Sequence, residues 1–251
     1  MRNIQDYEKK YVDEPFEETM ADIRRQCVIE QMGETWDKHI LEVGCGMHPL
    51  FLDVPEFSSM TIVEPSHDFA THAQELSELK HDREIRVVEG FLEEEAPGLI
   101  ADGQEFDIIV CSSLLHELES PEKLLLALYS VCSSRTILHI NVPNAKSLHR
   151  LIAYECGMIS TIYERSAQQI KMQRYGTYDM AALVNDVEKA GFEIVKRGSY
   201  FIKPFTHAQM QRCLDEGIIS EQVLTGLARV SKYLPEFGAD IFVNVKRKKD
   251  E

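Results

Sequence analysis

The chain alternates short apolar runs with longer amphipathic segments, the pattern of strands joined by crossover helices. The runs are rich in Ile, Val and Leu, and each ends near Gly, Pro, Ser or an acid. The first five predicted strands are His39–Val43, Thr61–Glu64, Ile85–Val88, Asp107–Cys111 and Thr136–Asn141. Apolar residues at helical spacing predict crossover helices over Ser66–Leu79 and Pro121–Val131.

The later part of the chain repeats this pattern once more. An amphipathic helix is predicted over Asp179–Ala190, closed by Gly191, and two further strands over Phe192–Phe201 and Ile241–Lys246. We therefore predict an α/β fold: a Rossmann-like, doubly wound, seven-stranded and mostly parallel sheet with helical lid insertions.

Three mostly helical segments remain outside this sheet: 1–36, 142–178 and 203–238. Ligands of open α/β sheets bind beyond the carboxyl ends of the strands. We expect residues 1–251 to form a single domain in which the three segments make a lid over one pocket.

Charge and composition limit the partners. The 42 acidic residues outnumber the 27 Lys and Arg, giving a net charge of −15 that disfavours nucleic acid and anionic lipid. The chain shows neither a secretion signal nor a long apolar run, and its six cysteines form no C-x-x-C pair. We expect a cytoplasmic protein without a membrane or nucleic-acid partner; the oligomeric state stays open.

The strongest local signal follows the first strand, where Glu42-Val43-Gly44-Cys45-Gly46 makes an acidic strand end and a glycine turn. Gly44 and Gly46 would let a ligand lie against the backbone, although such a turn alone is also simply tight. Glu64 ends the second strand twenty residues after Gly44, a spacing at which a carboxylate binds ribose hydroxyls. Pro49 stands where a dinucleotide fingerprint needs a small residue, so a ribose without a pyrophosphate is indicated.

These motifs resemble those of class I S-adenosylmethionine-dependent methyltransferases over roughly residues 38–142. LEVGCG is similar to the first motif of that family, IVEPS to the second and FDIIVCSSLLHELESP to the fourth. The resemblance implies S-adenosylmethionine as cofactor. It implies that Glu42 and the Gly44-Cys45-Gly46 backbone hold the methionine part and Glu64 the ribose. Pro65 and Ser66 would lie at the adenosine edge, and Cys111 and Ser112 beneath the sulfonium.

The chain departs from the family pattern at two places. His48 replaces the usual third glycine, and Gly90-Phe91-Leu92 replaces a Gly-Asp step that accepts the adenine amine. Phe91 and Leu92 are then expected to contact the adenine, with Glu93 or Glu94 as a replacement acid.

Two histidines are candidate bases for removing a proton from the acceptor. His116 follows the fourth strand, and His149 follows the fifth in a segment dense in polar residues. Alternatively, His116 packs or caps a helix start, and His149 and Arg150 form a solvated helix face. A second polar cluster over 198–207 adds Tyr200 and Lys203 to the candidate acceptor residues, and Tyr178 is a further, separate candidate.

The stretches SSLLHE, HINVPNAKSLHR, YGTYD and GSYFIKPFTHAQM also look like those of bacterial methyltransferases that modify surface polysaccharides, including phosphoramidate groups. That resemblance implies an anionic small-molecule acceptor bound by His149, Arg150 and Lys203.

We therefore predict a methyltransferase that acts without a metal on an oxygen, or alternatively a nitrogen, of a small polar or anionic acceptor. Ser120 stands where a second His of H-E-x-x-H would be needed, so no metal site is predicted. A nicotinamide oxidoreductase is opposed by Pro49. A nucleoside-binding regulatory module without catalysis is the remaining alternative.

Overall fold

The computed structural model describes residues 16–165 and 175–248. Seven strands form one sheet in the order β3-β2-β1-β4-β5-β7-β6. The strands are β1 (His39–Val43), β2 (Ser59–Glu64), β3 (Glu84–Glu89), β4 (Phe106–Ser112), β5 (Cys132–Pro143), β6 (Phe192–Tyr200) and β7 (Asp240–Arg247). Only β7 runs antiparallel to its neighbours, so the predicted mostly parallel sheet is confirmed.

The described helices lie on both faces of this sheet, as a doubly wound fold requires. They are α1 (Glu17–Met32), α2 (His67–Glu78), α3 (Leu92–Ala101), α4 (Pro121–Val131), α5 (Leu148–Glu155), α6 (Met180–Lys189), α7 (His207–Asp215) and α8 (Glu221–Arg229). Local chemistry starts several of them: Ser66 caps α2, Asp179 caps α6, and Pro121 opens α4. None of the helices within the described ranges is long and apolar enough to cross a membrane.

Side-chain alternation along the central strands divides the core in two. Leu41 and Ile109 point to one face, where they pack with α3, α4 and α6, whereas Ile40 and Ile108 point to the other, beneath α1 and α2. In register, Ile40 lies between Met60 and Ile108, so the strand centres are apolar on both faces. Polar side chains are thereby left to the strand ends.

A third, smaller cluster connects two of the predicted insertions. Phe16 and Met20 of the N-terminal segment pack against Phe201, Met210 and Leu224. α1 is therefore held between the sheet and α7–α8.

Two helices are not evident from the sequence pattern. The pattern of α3 is interrupted by Pro97 and Gly98. α5 begins only at Leu148, after a turn made by the Asn144 side chain. Its Oδ1 accepts the N–H of Lys146 at 2.9 Å, and its Nδ2 donates to the carbonyls of Glu236 and Gly238.

Candidate active site

A cavity of about 660 Å³ lies at the carboxyl edge of β1, β2 and β4. Its walls come from the loops after the first four strands, from one face of α1, and from Tyr175. The size suits a drug-sized ligand. Within the described ranges, no residue of the predicted lid segment 203–238 lines it, and parts of the segments 1–36 and 142–178 lie outside those ranges.

The glycine turn after β1 forms the floor of this cavity. Gly44 and Gly46 both have left-handed backbones, with φ of 77° and 58°. A Cβ on Gly46 would meet no described atom within 4 Å, so the backbone there faces open cavity space. The turn can therefore accept a ligand directly against its main chain.

Two buried carboxylates flank the turn. Glu64 accepts the N–H groups of Gly46 and Ser66 at 3.1 and 2.9 Å, and Glu42 accepts that of Leu50 at 2.9 Å. Burial, with a smaller contribution from the neighbouring charge of Glu64, raises the pKa of Glu42 to about 8. Burial also raises the pKa of Glu64. A cationic nucleoside ligand with ribose hydroxyls fits this pair, because it would supply both charge and donors.

The structure brings together nearly all of the predicted cofactor residues. Those lining the cavity are Glu42, Gly44, Cys45, Gly46, Glu64, Pro65, Ser66, Phe91, Leu92 and Ser112. Glu93 and Glu94 also line it, beside Phe91. Cys111 does not line the cavity, because strand alternation turns its side chain into the core with that of Ile109.

His116 is buried beneath the segment that carries Tyr175. Its carbonyl accepts the N–H groups of Tyr175 and Gly176 at 3.0 and 2.9 Å, and its Nε2 lies 3.9 Å from Oε1 of Glu117. The imidazole is not among the side chains that line the cavity, whereas Glu117 is. The packing interpretation of His116 therefore describes its position better than the base interpretation.

The predicted acceptor residues lie beyond the cavity wall. Arg150 donates to the carbonyls of Ile162 and Glu164, so its guanidinium holds the loop after α5. The Tyr178 hydroxyl donates to Asp186 at 3.2 Å, and its ring belongs to the main core. These two side chains thus have structural partners that sequence spacing does not reveal.

His149, Lys203 and His207 lie near one another and form what we term the distal polar cluster, whereas Tyr200 lies beside Asp240 and Arg24. Burial, together with the charges of Lys203, His207 and Arg150, lowers the pKa of His149 to about 2. Within the described part of the chain, His149 Nδ1 and the buried Tyr200 hydroxyl have no hydrogen-bond partner. Buried polar atoms of this kind usually satisfy themselves with water or a ligand.

α1 connects this cluster with the cavity. Glu17 Oε2 lies 3.6 Å from His207 Nδ1, and Arg24 Nε lies 3.3 Å from Oδ2 of Asp240, which pairs with Tyr200 across β6 and β7. Glu17 and Arg24 both line the cavity. Glu17 therefore links the cavity wall to the cluster, and Arg24 links the wall to Asp240 beside Tyr200.

The cavity-lining face of α1 is difficult to recognise from the sequence. The cavity-lining residues Glu17, Ala21, Arg24, Arg25 and Val28 recur at helical spacing on one side of the helix. Three of them are charged, so the helix lacks an apolar stripe. The spacing of those charges was the available signal.

Comparison with known proteins agrees with this geometry. Residues 18–197 match the methyltransferase domain family. Among curated proteins no significant match is found.

Solved structures share the fold at low identity. A magnesium protoporphyrin IX methyltransferase from Synechocystis, solved with bound S-adenosylhomocysteine, is 13% identical with a TM-score of 0.60, covering 97% of this chain and 94% of its own. An S-adenosylmethionine-dependent methyltransferase from Clostridium acetobutylicum is 10% identical with a TM-score of 0.56, covering 91% and 92%. A possible histamine N-methyltransferase from Thermotoga maritima is 15% identical with a TM-score of 0.57, covering 91% and 89%.

The family match spans well over half of the chain, and the sheet order, the glycine turn and the strand-end acids around one cavity agree with it. The chain therefore belongs to the methyltransferase domain family and is a class I methyltransferase that uses S-adenosylmethionine.

Proposed function

We propose that the protein methylates an oxygen, or alternatively a nitrogen, of a small polar acceptor that carries an anionic group. The observation that carries this proposal is the shared wall formed by Glu17 and Arg24. Both residues line the cavity; Glu17 also contacts His207 of the distal polar cluster, and Arg24 pairs with Asp240, the cross-strand neighbour of Tyr200. An acceptor bound along α1 would thus lie beside the cofactor half of the same cavity.

The cofactor half is proposed to consist of the glycine turn, Glu42, Glu64, the Pro65-Ser66 step and Phe91-Leu92. When bound there, S-adenosylmethionine supplies an electrophilic methyl group on its sulfonium. Glu42 and Glu64 would offset its positive charge and accept from its hydroxyls, while the apolar Phe91 and Leu92 surround the base.

The acceptor half is proposed to lie between α1 and the segment after β4. Arg24 and Arg25 provide cations on this wall, and each is already oriented by carboxylates: Arg24 by Asp240, Arg25 by Asp22 and Asp53. Orientation of a guanidinium fork favours bidentate binding of carboxylate or phosphate. Of the residues predicted from sequence, we retain His149, Tyr200 and Lys203 as contacts for the distal part of the acceptor.

We propose Glu117 as the group that takes the proton from the acceptor. It ends the short 3-10 helix Leu115–Glu117 after β4, its side chain is buried at the cavity wall, and His116 precedes it in the same turn. His149 is poorly suited to this step, because its lowered pKa makes it a weak base. His116 would then orient the Glu117 carboxylate without touching the acceptor.

Nucleotide-linked sugars and phosphoramidates are the acceptor classes we propose to test first. Both carry the anionic group that the arginines of α1 suit, and both agree with the resemblance to polysaccharide-modifying methyltransferases. The proposed compartment is the cytosol, because all six cysteines are free thiols.

The test is transfer of a labelled methyl group from S-adenosylmethionine to these acceptors, with neutral sugars and simple amines in parallel. We expect product with the anionic classes and a roughly hundredfold lower kcat in Glu117→Gln. Glu122→Gln, an exposed acid outside the cavity, is the matched control. Transfer to amines alone would overturn the anionic acceptor, and cofactor binding without any transfer would favour the non-catalytic regulatory module.

A further inference from the structure

We propose that Asn141, aligned by His139, is the positioning residue that fixes the backbone of Ser112 and Ser113 at the cavity wall. This inference rests on the proposed function and deepens it, because the segment after β4 carries Glu117, the proposed proton acceptor. Neither Asn141 nor His139 lines the cavity. Both would act through the main chain of that segment.

Ser113 has an unusual backbone that needs such support. Its φ of 57° lies in the left-handed region, which residues with a Cβ seldom occupy. Its N–H is directed at two oxygens of one residue, the backbone carbonyl of Asn141 at 3.0 Å and the side-chain Oδ1 at 3.1 Å. Non-glycine residues with a left-handed backbone persist where the surrounding structure holds them, and they concentrate at functional sites.

The Asn141 amide can serve Ser113 in only one orientation. With Oδ1 accepting from Ser113, Nδ2 donates to Ser112 Oγ at 2.9 Å and faces His139 Nε2 at 3.2 Å. His139 Nε2 must therefore be an acceptor, because two donors cannot share that contact.

Asn244 explains why Nε2 of His139 is an acceptor. Its Oδ1 lies 2.7 Å from His139 Nδ1, which places the imidazole proton on Nδ1 and leaves the lone pair on Nε2. Burial lowers the pKa of His139 to about 4, so the ring stays neutral near pH 7. The ring also stacks on Phe242, with centroids 5.6 Å apart, which limits its rotation.

The same series of contacts reaches the opposite wall of the cavity. Asn244 Nδ2 donates to the carbonyl of Gln31 near the end of α1, at 3.4 Å. α1 lines the cavity through its Glu17–Val28 face, and Ser112 and Ser113 line it from β4. The buried polar residues of β5 and β7 thus tie together two walls that would have to close on cofactor and acceptor.

Two substitutions of His139 separate the positioning role from simple packing. His139→Gln can place an amide oxygen near Nε2 and keep the acceptor for Asn141. His139→Asn can replace the Nδ1 donor but offers nothing at the Nε2 position. Both remove the ring, so both should lower thermal stability to a similar extent.

The measured quantities are S-adenosylhomocysteine affinity by calorimetry and the backbone amide resonance of Ser113 by NMR. We expect His139→Asn to lose about tenfold in affinity and to shift the Ser113 resonance, whereas His139→Gln stays near the parent protein in both. Equal affinities in the two variants, or an unmoved Ser113 resonance in His139→Asn, would overturn the proposal.

Asn244→Leu provides an independent variant if His139→Asn does not fold. Removal of the Asn244 oxygen frees His139 to take the other tautomer, so the Ser113 resonance should shift although Asn244 lies outside the cavity lining. An unchanged resonance would contradict the proposal. Because neither readout requires an acceptor, a wrong acceptor class leaves this test intact.

Discussion

Glu64 at the end of β2 accepts the backbone N–H of Gly46 at 3.1 Å, so the strand-end acid and the glycine turn of β1 are held as one unit. Its other carboxylate oxygen accepts the N–H of Ser66 at 2.9 Å. The carboxylate is thereby fixed at the cavity wall before any ligand binds, which reduces the entropy lost on binding.

The first prediction concerns this acid. Glu64→Ala should weaken S-adenosylhomocysteine binding, because two charge-assisted bonds to ribose would be lost at roughly 1.5–3 kcal/mol apiece at most. Glu89→Ala is the matched control: Glu89 lies beside Glu64 in register, at the exposed end of β3, and does not line the cavity. Calorimetry with unchanged affinity in Glu64→Ala would refute the ribose assignment.

The second prediction concerns proton release on cofactor binding. The pKa of Glu42 is raised to about 8, so the carboxyl is mostly protonated in the ligand-free protein at pH 7. A cationic ligand favours the carboxylate, lowers that pKa and expels a proton. Affinity for S-adenosylmethionine should therefore rise with pH up to about 8, by about tenfold per pH unit at most.

Calorimetric titrations with S-adenosylmethionine in buffers of different ionisation enthalpy measure the number of protons released. The Glu42→Gln variant should release fewer protons than the parent protein. The pKa of Glu42 is 4.5 in the unfolded chain and about 8 in the folded protein, so folding favours the neutral carboxyl. Its contribution to the free energy of unfolding is fully present below pH 4.5 and is lost as the pH rises through about 8. The free energy of unfolding of the ligand-free protein should accordingly fall less steeply across this range in Glu42→Gln. Identical proton release in both proteins would exclude Glu42 from the linkage.

The third prediction uses two glycines with similar backbones. Gly46 and Gly103 have φ of 58° and 70°, and a Cβ on either would meet no described atom within 4 Å. Replacement by Ala should destabilise the fold by about 1 kcal/mol in each case. Only Gly46→Ala should weaken S-adenosylhomocysteine binding, because only Gly46 lines the cavity. Equal affinities for the two variants would place the ligand elsewhere.

The fourth prediction concerns the attachment of α1. Arg24 pairs with Asp240, which is 1% exposed, across 216 residues of sequence. Arg24→Met should cost about 3 kcal/mol of stability, because it leaves a buried carboxylate without its cation. Adding Asp240→Asn should recover most of that loss in urea denaturation. Additive losses in the double variant would show that the two side chains are not coupled.

The cofactor half of the site was predictable because its signals are local. A strand-end acid, a glycine turn and a second strand-end acid are close in sequence, and the sheet topology brings Glu42 and Glu64 to one edge. Strand alternation also predicts the direction of the Cys111 side chain: the residue lies two residues after Ile109 on β4, so both side chains point to the same core.

The acceptor half depends on tertiary contacts that spacing cannot reveal. The guanidinium of Arg150 donates hydrogen bonds to the carbonyls of Ile162 and Glu164, twelve and fourteen residues later in the chain. The Glu17–Arg24 face becomes a cavity wall only because α1 packs over the carboxyl edge and is anchored by Asp240. A charged helix face read from sequence alone resembles any solvated surface.

The most direct test of the cofactor site is a calorimetric titration of the purified protein with S-adenosylhomocysteine and with NAD, repeated on Gly46→Ala and Gly103→Ala. We expect stoichiometric binding of S-adenosylhomocysteine, no binding of NAD, and an affinity that is weakened in Gly46→Ala and retained in Gly103→Ala. Binding of NAD, or S-adenosylhomocysteine affinity that is the same in all three proteins, would contradict the assignment of this site.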